Sequence, residues 1–107
     1  MTSWSLIKSR DAAQSCCESG LLVKTLLFPQ KFGGTEVVEN TTYIPPQVLT
    51  KKEQLEIEIL NLFKKGLINL ISVRPEYRGD SFVPARIYLS AWRDDTPKVY
   101  DFVIDVW

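Results

Sequence analysis

Histidine is absent from this chain of 107 residues. That removes the commonest general base and the commonest metal ligand. It also removes any Ser-His-Asp or Cys-His arrangement built within the chain. Cysteine is scarce: Cys16 and Cys17 stand alone and adjacent. Adjacent cysteines bridge each other only with strain, and two thiols make no disulfide framework. With no second cysteine pair elsewhere, a zinc site is not expected. Thirteen basic and thirteen acidic residues cancel, so no global field steers the chain to nucleic acid or to an anionic membrane. No segment is strongly polarised either. No apolar run approaches the length of a membrane span, and the opening MTSWSLIKSRDAAQ lacks the apolar core of a secretory signal. A cytoplasmic, reducing setting with no membrane is the expectation.

Other motifs of chemistry are missing too. Gly33-Gly34 has neither the lysine nor the spacing of a phosphate loop, and no GxGxxG pattern surrounds it. Glu56 and Glu58 lie two apart on an expected helix and point to different sides, so they make no paired acid and base. Glu76, Asp94 and Asp95 belong to strand ends and turns, where acids are ordinarily solvated turn formers. No metal, no cofactor and no catalytic residue is expected, and the chain reads as non-enzymatic.

What remains is an ordinary globular composition: 45% apolar and 24% charged, long enough for one small domain over residues 1–107. Its most readable stretch is TKKEQLEIEILNLFKKG, which predicts an amphipathic helix over residues 50–65. Thr50 and Glu53 stand in capping-box register. Gly66 falls where a left-handed residue ends a helix, and Lys64 and Lys65 oppose the negative end of its dipole. Leu55, Ile59, Leu62 and Phe63 form an apolar stripe, widened by Ile57 and Leu60, with Glu53, Glu56 and Glu58 facing elsewhere. Leu55 to Ile59 also alternates like a strand. The caps and the leucine-lysine-glutamate content favour helix.

Upstream, residues 3–8 are expected to begin a strand. Ser9 is expected to cap a short helix over Arg10–Glu18, closed by Gly20. There Ala12, Ala13, Cys16 and Cys17 form a small-residue packing face. Residues 21–28, LLVKTLLF, predict a buried strand between Gly20 and Pro29. Gly33-Gly34 signals a turn, with 35–38 returning as its partner strand. Pro45 and Pro46 argue against helix, leaving 39–47 as a loop. Tyr43 and Ile44 would tuck under the main helix. Asn40-Thr41-Thr42 matches a glycosylation acceptor and Arg78-Gly79-Asp80 an integrin tripeptide. Without a signal peptide these read as a loop and a turn.

Downstream, residues 67–75, 82–93 and 99–107 predict three strands, with turns at 78–81 and 94–97. Connections this short make antiparallel neighbours. The fold class is therefore α+β: an antiparallel sheet of four to five strands, with the main helix on one face and the short helix beside it. Alternation places Val83, Ala85, Ile87, Leu89 and Ala91 on the helix side. Pro84, Arg86, Tyr88, Ser90 and Trp92 take the other side. Asp101, Asp105 and Trp107 join them there, because the reverse register would bury the acids.

That far face supplies the candidate binding residues Arg86, Tyr88, Trp92 and Trp107, since Trp, Tyr and Arg concentrate energy at protein interfaces. The bland alternative is a solvated face with Arg–Asp cross-strand pairs. The expected function is a protein-binding, adaptor or accessory protein. Its partner is a protein, or a second copy pairing through the C-terminal edge strand. A small nucleic-acid-binding domain is the disfavoured alternative. Aromatics on the sheet suit stacked bases, while the acids on that face and the helix glutamates oppose phosphates. An accessory subunit of an enzyme complex is the third reading.

Overall fold

The computed structural model describes residues 4–107. It is α+β, with two α-helices and two antiparallel sheets among those residues. Helix α1 spans Arg10–Glu18 and α2 spans Pro46–Lys64. Strands β1 (Val23–Leu26) and β2 (Thr41–Ile44) form a two-stranded sheet. Strands β3 (Leu70–Tyr77), β4 (Pro84–Trp92) and β5 (Val99–Asp105) form a three-stranded meander with β4 in the middle.

The single sheet of four to five strands is thus not what forms. The β1–β2 pair stands as a separate layer beneath the meander. Val23, Leu27 and Ile44 share one core with Ile87, Leu89 and Ile104. The physical reason lies in the side chains: Thr42, Tyr43 and Ile44 are all buried, so β2 gains more by packing its faces than by lengthening a sheet edge. The partner of β1 is β2 and not residues 35–38; Val23 pairs with Ile44 and Leu26 with Thr41. Tyr43 and Ile44 are strand residues; Ile44, just before the Pro45 N-cap, packs with Val48 and Leu49 under the start of α2 as expected, while Tyr43 turns to a second core with Ala13 and Val83. The intervening loop is held by Asn40. Its side chain accepts from the Phe28 amide (2.7 Å) and donates to the carbonyls of Phe28 (2.9 Å) and Thr35 (3.1 Å). Gly34 passes so close to this turn that a Cβ there would lie 1.8 Å from the Phe28 carbonyl oxygen.

Helix α2 starts four residues earlier than the capping-box register predicts. Pro45 is extended (φ −60°, ψ 146°) and serves as N-cap without a side-chain bond, and Pro46 opens the helix. Proline fits the first helical position, where its missing N–H would have no partner in any case. Thr50 and Glu53 consequently sit inside the helix, exposed. The far end follows expectation. Gly66 is left-handed (φ 73°), its amide bonds the Phe63 carbonyl, and the Leu67 amide bonds the Leu62 carbonyl. This is the Schellman pattern. Arg93 adds a bond from Nη1 to the Gly66 carbonyl (3.0 Å), tying the β4–β5 turn to the helix end.

The buried stripe of α2 is Val48, Lys52, Glu56 and Ile59. Glu56 therefore faces the core, whereas the sequence pattern turns it away. A buried carboxylate needs a cation, and Glu56 has two. Lys52, itself 2% exposed, donates to Oε2, and Lys31 lies 3.5 Å from Oε1. Phe63 and Ile57, expected on or beside the stripe, are exposed.

The N-terminal segment makes a 3-10 turn, Trp4–Leu6, in place of a strand; Ser3 lies outside the described residues. It docks on the β3–β4 turn: Phe82 donates to the Ile7 carbonyl (2.6 Å) and Ser81 Oγ to the Trp4 carbonyl (2.7 Å). Helix α1 has the predicted bounds, with Ser9 Oγ accepting from the Ala12 amide at 3.1 Å. Ala13, Leu22, Tyr43 and Val83 form a second core, closed by Trp4, Cys16, Cys17, Phe82 and Trp107.

Candidate interaction surface

The three strands begin and end close to where alternation puts them, and their two faces separate as expected except at Pro84, expected outside but buried opposite Tyr77, where the register shifts. On the inner face Val83, Ala85, Ile87, Leu89 and Ala91 are all buried. The outer face is read rung by rung from the pairing. Leu70, Trp92 and Val99 make one rung, and Ser72, Ser90 and Asp101 the next. Arg74, Tyr88 and Val103 follow, then Glu76, Arg86 and Asp105. The layer formed by α2 and β1–β2 lies on the inner side of this sheet.

The outer side chains are held by one another. Arg86 donates from Nε to Asp105 Oδ1 (3.0 Å) and from Nη1 to Glu76 Oε1 (3.1 Å). Tyr88 donates its hydroxyl to the other Glu76 oxygen (3.1 Å). The Arg74 guanidinium lies over the Tyr88 ring, 4.4 Å from its centroid. Ser90 donates to Asp101 at 2.6 Å. Asp105 first, then Glu76 and Tyr88, push the Arg86 guanidinium further into its charged range. Asp105 is well exposed and Glu76 and Arg86 are half-buried, so solvent still screens each pair and it contributes little stability by itself. What the network supplies is order: the planar Arg86 fork fixes two carboxylates and, through Glu76, the Tyr88 ring.

Of the four residues singled out in the sequence, the structure brings two together. Arg86 and Tyr88 share Glu76. Trp92 is on the same face of the same strand, but four residues beyond Tyr88 and six beyond Arg86, about 13 and 20 Å away at strand rise. It stands between exposed Leu70 and Val99. Trp107 follows β5 and closes the second core. Its indole N–H donates to the Val83 carbonyl (2.9 Å), and Arg78 lies 5.0 Å from its ring. Glu76 was missed by stopping the first strand at Pro75; Arg74, inside that strand, was not singled out for the site. Continuing the alternation Leu70, Ser72, Arg74 one step past the proline reaches Glu76.

Concave features elsewhere are shallow. One, about 440 Å³, is lined by Arg10, Tyr43, Tyr77, Asp80 and Phe82 among others. A more apolar groove of about 370 Å³ runs between Phe28, Phe32, Leu60, Phe63 and Leu70. Among the described residues no group of three or more Cys, Asp or Glu side chains is placed to hold a metal ion, and no helix is long and apolar enough to cross a membrane.

No protein-family model matches this chain, and no match was found among curated proteins or solved structures.

Proposed function

We propose that this chain is a protein-binding domain, an adaptor or accessory element and not an enzyme, that presents the outer face of the β3–β4–β5 sheet to a protein partner. The observation that supports it most is the ordered ladder on that face. Arg74 lies on Tyr88, Arg86 is forked between Glu76 and Asp105, and Trp92 stands between two exposed aliphatic residues. Arg, Tyr and Trp are the types that anchor protein interfaces. Side chains already fixed in one arrangement lose less rotamer freedom on docking.

The charge on the face favours protein over nucleic acid. Its rungs carry two cations, Arg74 and Arg86, against three carboxylates, Glu76, Asp101 and Asp105. A net negative sheet repels a phosphate backbone.

The test is comparative capture in the native host. Tagged wild-type chain, Tyr88→Ala/Trp92→Ala and Ile57→Ala are each used as bait. The proposal expects a protein retained by wild type and by Ile57→Ala but lost with the double variant. Identical captures with all three baits, with the double variant folded by circular dichroism, would refute it. Retention on single-stranded oligonucleotides that falls steeply with salt would instead favour the nucleic-acid reading.

A further inference from the structure

We infer that two copies of this chain pair through β5, antiparallel and centred on Phe102, to extend the three-stranded sheet across a twofold axis. The meander has two edges, β3 and β5, and they differ. The β3 edge carries Pro75, which has no N–H to offer, and a register shift between Glu76 and Tyr77. Proline and bulges are the usual guards against edge pairing. Strand β5 has neither; its pairing with β4 is regular from Val99 to Asp105.

The direction of its backbone groups follows from one bond. The Val106 amide donates to the Ala85 carbonyl at 2.8 Å. Alternation along an antiparallel ladder then assigns Tyr100, Phe102 and Ile104 to the bonds with β4. The N–H and C=O groups of Val99, Asp101, Val103 and Asp105 turn to the open side.

Charge selects the register. Three twofold registers pair at least three of these outward residues. Centring on Asp101 sets Asp101 against its own copy. Centring on Val103 sets Asp101 against Asp105. Like charges directly opposite destabilise a sheet. Centring on Phe102 avoids every carboxylate pair and uses all four outward residues. It sets Val99 opposite Asp105 and Asp101 opposite Val103 on the outer face. On the inner face it sets Phe102 opposite Phe102 and Tyr100 opposite Ile104, aromatic and aromatic–β-branched pairs that favour pairing. A cleft of about 310 Å³ beside the strand, lined by Lys51, Gln54, Leu55 and Glu58 with Val103, Ile104 and Asp105, carries both signs of charge. It therefore suits a copy of itself. The chain's formal net charge of zero adds no repulsion.

One strand pair buries less than the roughly 800 Å² per partner of a standard interface, so the dimer is weak, with dissociation on the order of micromolar to millimolar. This pairing runs along the edge and is independent of the outer-face reading, which the Tyr88 and Trp92 variants test.

Sedimentation equilibrium of wild type, Val103→Lys and Val103→Asp at low salt decides it. Val103 is 51% exposed, so both changes leave the core untouched. Lysine at 103 faces Asp101 of the second copy twice per dimer and tightens it about 2- to 30-fold; aspartate loosens it by a similar factor. Wild-type chain that stays monomeric up to about 1 mM overturns the dimer. Tightening by both variants, or no change in either, overturns the edge. Loosening by Val103→Lys overturns the Phe102 centre, because it is the result of a Val103-centred register. Should a variant fail to fold, hydrogen exchange on wild type serves. The amides of Val99, Asp101, Val103 and Asp105 slow as concentration rises, and concentration-independent exchange at all four overturns the pairing.

Discussion

The ion pair inside α2 makes a sharp quantitative test of how this domain is held together. Glu56 is 4% exposed and Lys52 2%. The two are not equivalent. Glu56 has a second cation in Lys31, 3.5 Å away at the surface, whereas the carboxylate partner of Lys52 is Glu56. Glu56→Leu therefore strands a buried ammonium, and losing one partner of a buried pair costs about 3–5 kcal/mol. Against a total of about 5–15 kcal/mol for a domain of this kind, that is about a fifth or more of the stability. At an unfolding entropy of about 2.1 cal/mol/K per residue, the melting midpoint falls by roughly 13–22 °C. Lys52→Met is milder, because Glu56 keeps Lys31. The double variant Lys52→Met/Glu56→Leu buries no charge at all and recovers most of the loss, since replacing a buried pair with packed apolar groups is commonly neutral or better. Urea unfolding of the four proteins, with unchanged slopes as the check on two-state behaviour, closes a double-mutant cycle. If Glu56→Leu cost less than about 1 kcal/mol, the figure for a surface pair, Lys52 would have to reach water and the buried assignment would fall.

Three further outcomes are expected. Gly34→Ala forces a Cβ against the Phe28 carbonyl and should destabilise by about 1–3 kcal/mol, the range for overpacking, read as a lowered denaturation midpoint; an unchanged midpoint would mean the turn is not as tight as described. The Thr42 hydroxyl is buried without a hydrogen-bond partner among the described residues, so Thr42→Val should stabilise by about 1 kcal/mol, measured the same way. Burial, then the neighbouring Cys16, pushes the Cys17 thiol up. Less thiolate forms near neutral pH, so Cys17 should alkylate more slowly than free cysteine, followed by mass spectrometry, and catch up as the pH rises.

How much of this was legible in the sequence differs by element. Helix α1 was read to the residue, because Ser9 and Gly20 mark its two ends and nothing distant competes. The inner face of β4 was also legible, since strict alternation survives burial on one side. The start of α2 was not. Two prolines argue against helix in isolation, yet proline at the first helical position costs nothing, and that depends on whether the preceding turn frees the chain. Glu56 was misplaced because hydropathy assigns charge to water, although Lys52 one turn before it on the same helix, with Lys31 from outside the helix, compensates its burial. The single large sheet failed for a similar reason: strand propensity at LLVKTLLF is visible locally, but its partner is chosen by packing. Of the candidate site, alternation alone put Arg86 and Asp105 on one face, and the strand register then pairs them. Glu76 was lost by ending a strand at Pro75, where an edge strand tolerates proline. Trp107 was placed by extrapolating alternation beyond Asp105, where the ladder ends and the indole turns to the Val83 carbonyl.

The central claim is that the outer sheet face, and not the α2 side, meets a protein partner. A photo-crosslinking side chain placed at Trp92 in one variant and at Ile57, exposed on α2, in another tests it in the native host. The account predicts a discrete covalent adduct with a different protein from position 92 and none from position 57. An adduct from position 57 with none from position 92 would contradict it.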